Sequence, residues 1–374
     1  SLRDNTTGQY NVALGLNALR LNISGDSNTA VGLQALRDNT TGDKNVAVGY
    51  TALASNTTAS QNIAVGYQAG TSLTTGTNLV AIGYQAGDAI TVGNNNIAIG
   101  KNALGAEVSG SLNIAIGSNA LAVQNTGTDA YNVAIGYNAG TAVSTGINNV
   151  FIGGLAGTAN TTASENTAVG YRSLASNTIG GNNVSVGYQT LSANTEGTKN
   201  VGLGRQALSA NTTGGGNVGI GYNTLDANTT GSNNTAIGRE ALTGNTTASE
   251  NTAVGFRALL TNSTGINNNA FGVDALRLNT VNSNNAFGHS ALEVNTTGIH
   301  NVAMGHRPLS ANTTGEKNTA FGAYALTSNT TASNNTAVGY EALYSNTTAS
   351  NLVAVGYYAL NNNTTGGSGV AVGY

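Results

Sequence analysis

The chain has 374 residues, of which 52 are Gly, 39% are hydrophobic and only 8% are charged, with a net charge of −3, one Pro and neither Cys nor Trp. That much hydrophobicity with so little charge excludes simple disorder, and the missing cysteines exclude disulfide stapling. No run of about 18 apolar residues offers a membrane-spanning helix, no leader pattern is seen, and no basic cluster offers a nucleic-acid surface.

The chain reads as one unit written many times. Aligned on the Gly of an Ala-Val-Gly element, 22 units run from Gly15 to Gly373, and 19 of the 21 intervals are 17 residues. Self-similarity this strict is the signature of a solenoid. Within a unit, the residue before the Gly is always apolar, as in Val31, Val48, Val169 and Val338, and the one before that is Ala in 18 of 22 units. Four residues after the Gly, Leu fills 17 of 21 positions, as in Leu36, Leu53, Leu174 and Leu343. Seven after it, Asn fills 16 of 21, as in Asn39, Asn56, Asn211, Asn228 and Asn346, and a second Asn column lies four before the Gly. These columns predict two short strands per unit, Asn-Thr-Ala-Val-Gly and Ala-Leu-x-x-Asn, joined by a bend and an Asn-Thr-Thr-Gly loop. The predicted fold is all-β: a parallel β-solenoid or β-roll of about 22 coils. At about 4.8 Å per coil it would make a rod on the order of 100 Å long. The Val and Leu columns are the expected core, and the Asn columns are expected to form amide ladders along the axis.

Taken in chain order, the opening Ser1-Leu2-Arg3-Asp4 enters in mid-unit, as residues 35–38 do. The expectation is a single array over 1–374, without caps, cut from a longer chain or from a filament in which ends meet. Leu gives way to Gly at Gly70, Gly87, Gly140 and Gly157, and in three of those units the Asn column turns apolar, as Leu73, Ile90 and Val143. An inward side chain lost at one place is thereby restored three residues later. The two irregular intervals, one of 19 and one of 16 residues, fall near 125–131 and 279–284, in the predicted loop, where insertions are tolerated. Charges at Lys44, Glu165, Lys199, Glu250 and Lys317 recur in one loop column and read as a solvated edge. Pro308 falls just after the bend, where its missing N–H is not needed for a ladder.

Residues that carry chemistry are few. Tyr follows the Gly in 10 of 22 units, including Tyr50, Tyr67, Tyr84, Tyr340 and Tyr357, and such a column would pack between subunits or present aromatic faces to glycans. His289 and His306 share this column in successive units, about 5 Å apart on the coil spacing. They read as stacked surface imidazoles, with a metal site as the minor alternative. The glycines lack the Lys-Ser/Thr context of a phosphate loop. Asp is too scarce for a calcium solenoid, and an exposed Thr column is the feature that an ice-binding face would use. No repeated nucleophile–base pair is present, so no enzyme and no cofactor is expected.

The unit Asn-Thr-Ala-Val-Gly-Tyr-x-Ala-Leu resembles the head repeats of trimeric autotransporter adhesins, which carry a similar Asn-x-x-Ala-Ile/Val-Gly element. The likeness covers essentially the whole chain. It implies a left-handed parallel β-roll, a homotrimeric extracellular fibre and contact with host surfaces or matrix. Small residues such as Ala30 and Ala337 would then permit close backbone approach. The 17-residue unit is longer than that family's usual repeat, and no stalk, neck or membrane barrel accompanies it. Phage and viral tail-fibre shafts are similar in their demand for a long repetitive rod. The reading from sequence is therefore a structural or adhesive fibre shaft at the cell surface or on a virion. It associates with itself as a trimer or filament, and without nucleic acid or membrane insertion.

Overall fold

The computed structural model describes residues Ser1–Tyr374, and the chain divides into two compact units, Ser1–Val186 and Gly187–Tyr374. Both are all-β and free of helix. In the first unit, strands run from Val12–Leu14 to Val184–Val186, each pairing in parallel with the next. The second repeats the scheme from Val201–Leu203 to Gly369–Val372. The chain is thus a parallel β-solenoid with one coil per repeat. Register is that of the sequence columns, as in Val46 opposite Ile63, Ala47 opposite Ala64 and Val48 opposite Val65.

Each coil carries one strand of three or four residues, not the two expected. The Ala-Leu-x-x-Asn segment and the residue before it form a chain of turns, because two of these residues are left-handed. Gln34 has φ 59° and Leu36 φ 50°, and the same two columns repeat this in coil after coil, as at Thr51 and Leu53 or Glu341 and Leu343. A left-handed L-residue costs roughly 1–2 kcal/mol, which is why sequence reasoning prefers an extended segment there. Burying a leucine returns about 1.5–3 kcal/mol, and Leu36 is fully buried. The turns also keep an inter-coil ladder: the N–H of Leu36 donates to Ala52 O at 2.9 Å and that of Asp38 to Ala54 O at 3.1 Å. Burial and ladder bonds together offset the strain.

The core differs from expectation in one column. Leu36, Leu53, Leu174 and Leu343 point inward and are fully buried. Val31, Val48, Val169 and Val338 do not; they are half-buried on the outer side of the strand, and the inward residue is the Ala before each of them. Successive side chains of a strand face opposite ways, so a three-residue strand sends only its middle side chain into the coil. Ala30, Ala47, Ala168 and Ala337 are fully buried, and the narrow interior explains their size.

The Gly of each unit is fixed by backbone approach. Gly49 has φ +137°, and a Cβ there would lie 2.2 Å from the carbonyl oxygen of Gly66 in the next coil. No larger residue fits that contact.

Interior repairs follow the sequence irregularities. Leu73, Ile90 and Val143 are fully buried beside the coils that lost Leu. Gly157 has no such partner, since Asn160 keeps its identity. Its space is taken by Phe151, which replaces Ala in the middle of the strand Val150–Ile152 and reaches both Gly140 and Gly157. Pro308 lies in a column whose N–H elsewhere closes a local turn, as Ala35 N to Gly32 O at 3.4 Å, so no inter-coil bond is lost. The segments 125–131 and 279–284 lie between strands.

Candidate functional site

Nothing on the inside of a coil is open to a ligand, so any binding function belongs to the outer columns. The interior is a polar scaffold as much as an apolar one. Asn39 donates its Nδ2 to Asn22 Oδ1 at 2.8 Å and to Gly42 O at 2.9 Å, and Asn56 donates to Asn39 in the same way. In the second unit, Asn211 donates to Asn194, Asn228 to Asn211 and Asn346 to Asn329. The second Asn column builds a parallel ladder: Asn28 Oδ1 accepts the backbone N–H of Asn45 at 2.9 Å, while Asn45 Nδ2 donates to Ala59 O. All are fully buried and serve stability. Where Leu73 interrupts the first ladder, Asn56 Oδ1 is left buried without a donor, a loss of about 1–3 kcal/mol.

One interior feature was missed by sequence reasoning. Glu107 and Gln124 occupy the ladder column in successive coils, next to the 19-residue interval. Glu107 is fully buried, and its carboxyl accepts the N–H groups of Val108 and Gly110 on Oε1 at 3.1 and 2.7 Å. Its Oε2 accepts Gln124 Nε2 and the N–H of Thr126, both at 3.1 Å. Gln124 in turn accepts Asn132 Nδ2 at 2.9 Å. The longer side chains reach across the inserted residues that an Asn pair would leave unanchored. The signal was in the sequence as a double departure from Asn at the irregular interval.

Outside, three columns stand side by side. The two flanking positions of each strand face outward, and from Val46–Val48 through Val150–Ile152 every one of them is Val or Ile. Ile63, Val65, Ile82 and Ile135 are among the exposed ones. In the second unit this face carries Phe271, Phe287, Met304 and Phe321, with Phe271 and Phe287 stacked at 4.9 Å.

The third column is that of the tyrosines. Tyr50 and Tyr67 stack at 5.0 Å and Tyr67 and Tyr84 at 5.1 Å, both nearly parallel. Tyr340 and Tyr357 stack at 5.4 Å. Within these stacks neighbouring rings cover one another's faces, so edges and hydroxyls are what they mainly present, while Tyr137 in the same column stands outside them. Between Tyr188 and Phe256 the same column alternates aromatic and cation. The Arg205 guanidinium sits 5.7 Å from the Tyr188 ring and 5.4 Å from that of Tyr222, and Arg239 lies between Tyr222 and Phe256. His289 and His306 stack at 5.2 Å, and the edge of Tyr324 closes on His306 at 5.1 Å. Two parallel imidazoles at this spacing do not converge on a common point, and no third His, Cys, Asp or Glu joins them.

The loop columns are polar. Lys44, Glu165, Lys199, Glu250 and Lys317 are exposed, each in the left-handed region. The first Thr of the loop spends its hydroxyl on the neighbouring coil, as Thr40 to Thr57 O at 3.0 Å and Thr57 to Thr74 O at 3.1 Å. The second, as at Thr41 and Thr58, is exposed.

Two carboxyls are raised. Burial pushes Asp88 and Asp226 above the ordinary carboxylate range, against opposing backbone hydrogen bonds, and the charge of Glu240 raises Asp226 further. A folded-state value above the unfolded one means that Asp226 favours the fold most when protonated. That contribution is complete below the unfolded carboxylate range and disappears as pH rises through the raised value. The Asp226→Asn variant should therefore gain on the parent chain as pH rises from acid to neutral, read as the difference in thermal midpoints across that range.

No protein-family model matches the chain, and no curated protein matches its sequence.

Proposed function

We propose that the chain is a shaft segment of an extracellular adhesive fibre, whose outer columns make weak contacts that gain strength by repetition. The observation that carries this reading is the unbroken Val/Ile face from Val46–Val48 to Val150–Ile152. Monomeric proteins rarely expose contiguous apolar strips of this kind, and larger ones mark sites of association. The occupant that best fits a flat, uncharged, periodic face is another copy of the same face, giving a trimer or filament. This is the arrangement that the resemblance to trimeric autotransporter adhesin heads implies, and a cell-surface or virion location goes with it. Host-surface or matrix contact falls to the remaining columns.

The structure gives less support to the other roles. In the stacks of Tyr50, Tyr67 and Tyr84 and of Tyr340 and Tyr357, the ring faces that a sugar would use lie against other tyrosines. Half of the loop threonine hydroxyls that an ice-binding face would use are committed to neighbouring coils. A tail-fibre shaft shares the proposed architecture and differs only in the body that carries it. The reading is structural rather than catalytic.

Light scattering and electron microscopy of the purified chain test it. The expected result is a mass that is a whole multiple of the chain and elongated particles. The outward substitutions Val65→Lys and Ile82→Lys should dissociate the assembly while the circular dichroism of the fold is kept. A compact monomer would overturn the proposal.

A further inference from the structure

The tyrosines form a cluster whose chemistry goes beyond packing. In the second unit the rings of Tyr324 and Tyr340 meet edge to face at 6.1 Å, and Tyr340 and Tyr357 stack at 5.4 Å. The Tyr358 ring stands 5.7 Å from Tyr340 and 4.3 Å from Tyr357, edge-on to both. Tyr340, Tyr357 and Tyr358 are all exposed, so an oxidant reaches them. The chain has no Cys, no Trp and a single Met, so few other side chains compete for an oxidising equivalent. A radical made on one ring of such a cluster has another phenol in contact with it before any other partner.

We propose that Tyr340, Tyr357 and Tyr358 are a site of oxidative cross-linking, where a haem peroxidase with hydrogen peroxide joins two neighbouring phenols as dityrosine and staples successive coils. In the reaction each of two phenols gives up one electron and its hydroxyl proton. The peroxide takes both electrons and both protons and leaves as two waters. The two phenoxyl radicals then form a carbon–carbon bond between their ortho positions, and each ring moves its ortho proton to oxygen to restore the phenol. A carboxylate lies next to the cluster: Glu341, adjacent to Tyr340 in the chain, raises that phenol above its ordinary value. The neighbouring Tyr357 pushes the Tyr358 phenol up to about 12, so oxidation of Tyr358 at neutral pH starts from the protonated phenol and proceeds with proton transfer. A bond from Tyr340 to Tyr357 or Tyr358 ties adjacent coils, which a chain without cysteine has no disulfide to do.

The test is treatment of the full purified chain with haem peroxidase and hydrogen peroxide at several protein concentrations, followed by proteolysis and mass spectrometry. The expected product is a linked peptide pairing Tyr340 with Tyr357 or Tyr358, each ring lighter by one hydrogen, at a yield independent of protein concentration. It should exceed by several-fold the products at Tyr10, Tyr131 and Tyr137, which are 82%, 55% and 60% exposed and stand outside the ring stacks. The Tyr340→Phe variant should lose every link from that position while keeping links within the Tyr50–Tyr67–Tyr84 stack, an internal control for reactivity. Links that form only between chains, rising with concentration, would overturn the proposal. So would oxidation spread over tyrosines in proportion to their exposure.

Discussion

Replacing Phe151 by alanine is expected to destabilise the first unit by about 4 kcal/mol, in the middle of the range for a deleted buried aromatic side chain. Elsewhere the middle of the strand is a small residue, and bulk comes from the Leu column or, in the coils of Gly70 and Gly87, from Leu73 and Ile90. Here two successive coils lack that Leu, Val143 repairs only the first, and Phe151 reaches both: a Cβ built on Gly140 would lie 2.9 Å from its ring, and one on Gly157 2.4 Å. The neighbouring middle residues Ala134 and Ala168 are too small to move in. The companion change Gly157→Leu should recover much of the loss. Gly157 already has φ 57°, matching the 53° of Leu174 in the next coil, so the leucine needs no new backbone conformation. The two substitutions should therefore be strongly non-additive, since Gly157→Leu alone collides with the Phe151 ring. Ile135→Ala, on the outer side of the adjacent strand, gives the contrasting small effect. Urea unfolding followed by circular dichroism reads all four variants.

The second large effect is expected at Glu107. Its removal as Glu107→Ala leaves the N–H groups of Val108, Gly110 and Thr126 and the amide of Gln124 without their acceptor. Two buried donors left unpaired already amount to about 2–6 kcal/mol. Glu107→Gln keeps the shape and turns one oxygen into a donor facing other donors, so it should fall between alanine and the parent chain. Amide hydrogen exchange supplies a local readout: protection at Val108, Gly110 and Thr126 should collapse in Glu107→Ala before that of distant coils. An alanine variant as stable as the parent would mean that the inserted residues hold themselves in place.

How much of this was legible depended on what a column can say. Identity at a fixed spacing located the coils, the in-register pairing and the stacking of Asn39 on its neighbours, because a period in sequence becomes a period in space. Which side of the strand a residue faces was not legible from Val31 or Val338, since the outer columns are as apolar as a core. The narrow interior, which selects Ala, decided it. Leu36 was correctly read as inward but placed in a strand. Its left-handed backbone runs against local preference and is stabilised only by burial and the next coil. The repairs at Phe151 and Glu107 were visible as broken columns, but their meaning needed the packing of three successive coils. On the outer surface the spacing located the tyrosine and histidine stacks, and only the geometry showed that their faces cover one another.

In each unit one coil stacks on the next in parallel register at strand spacing. Diffraction from an aligned gel of the purified chain tests it most directly. A reflection is expected at about 4.8 Å along the axis of alignment, the spacing of paired strands. A strand reflection lying across that axis, or none at all, would contradict it.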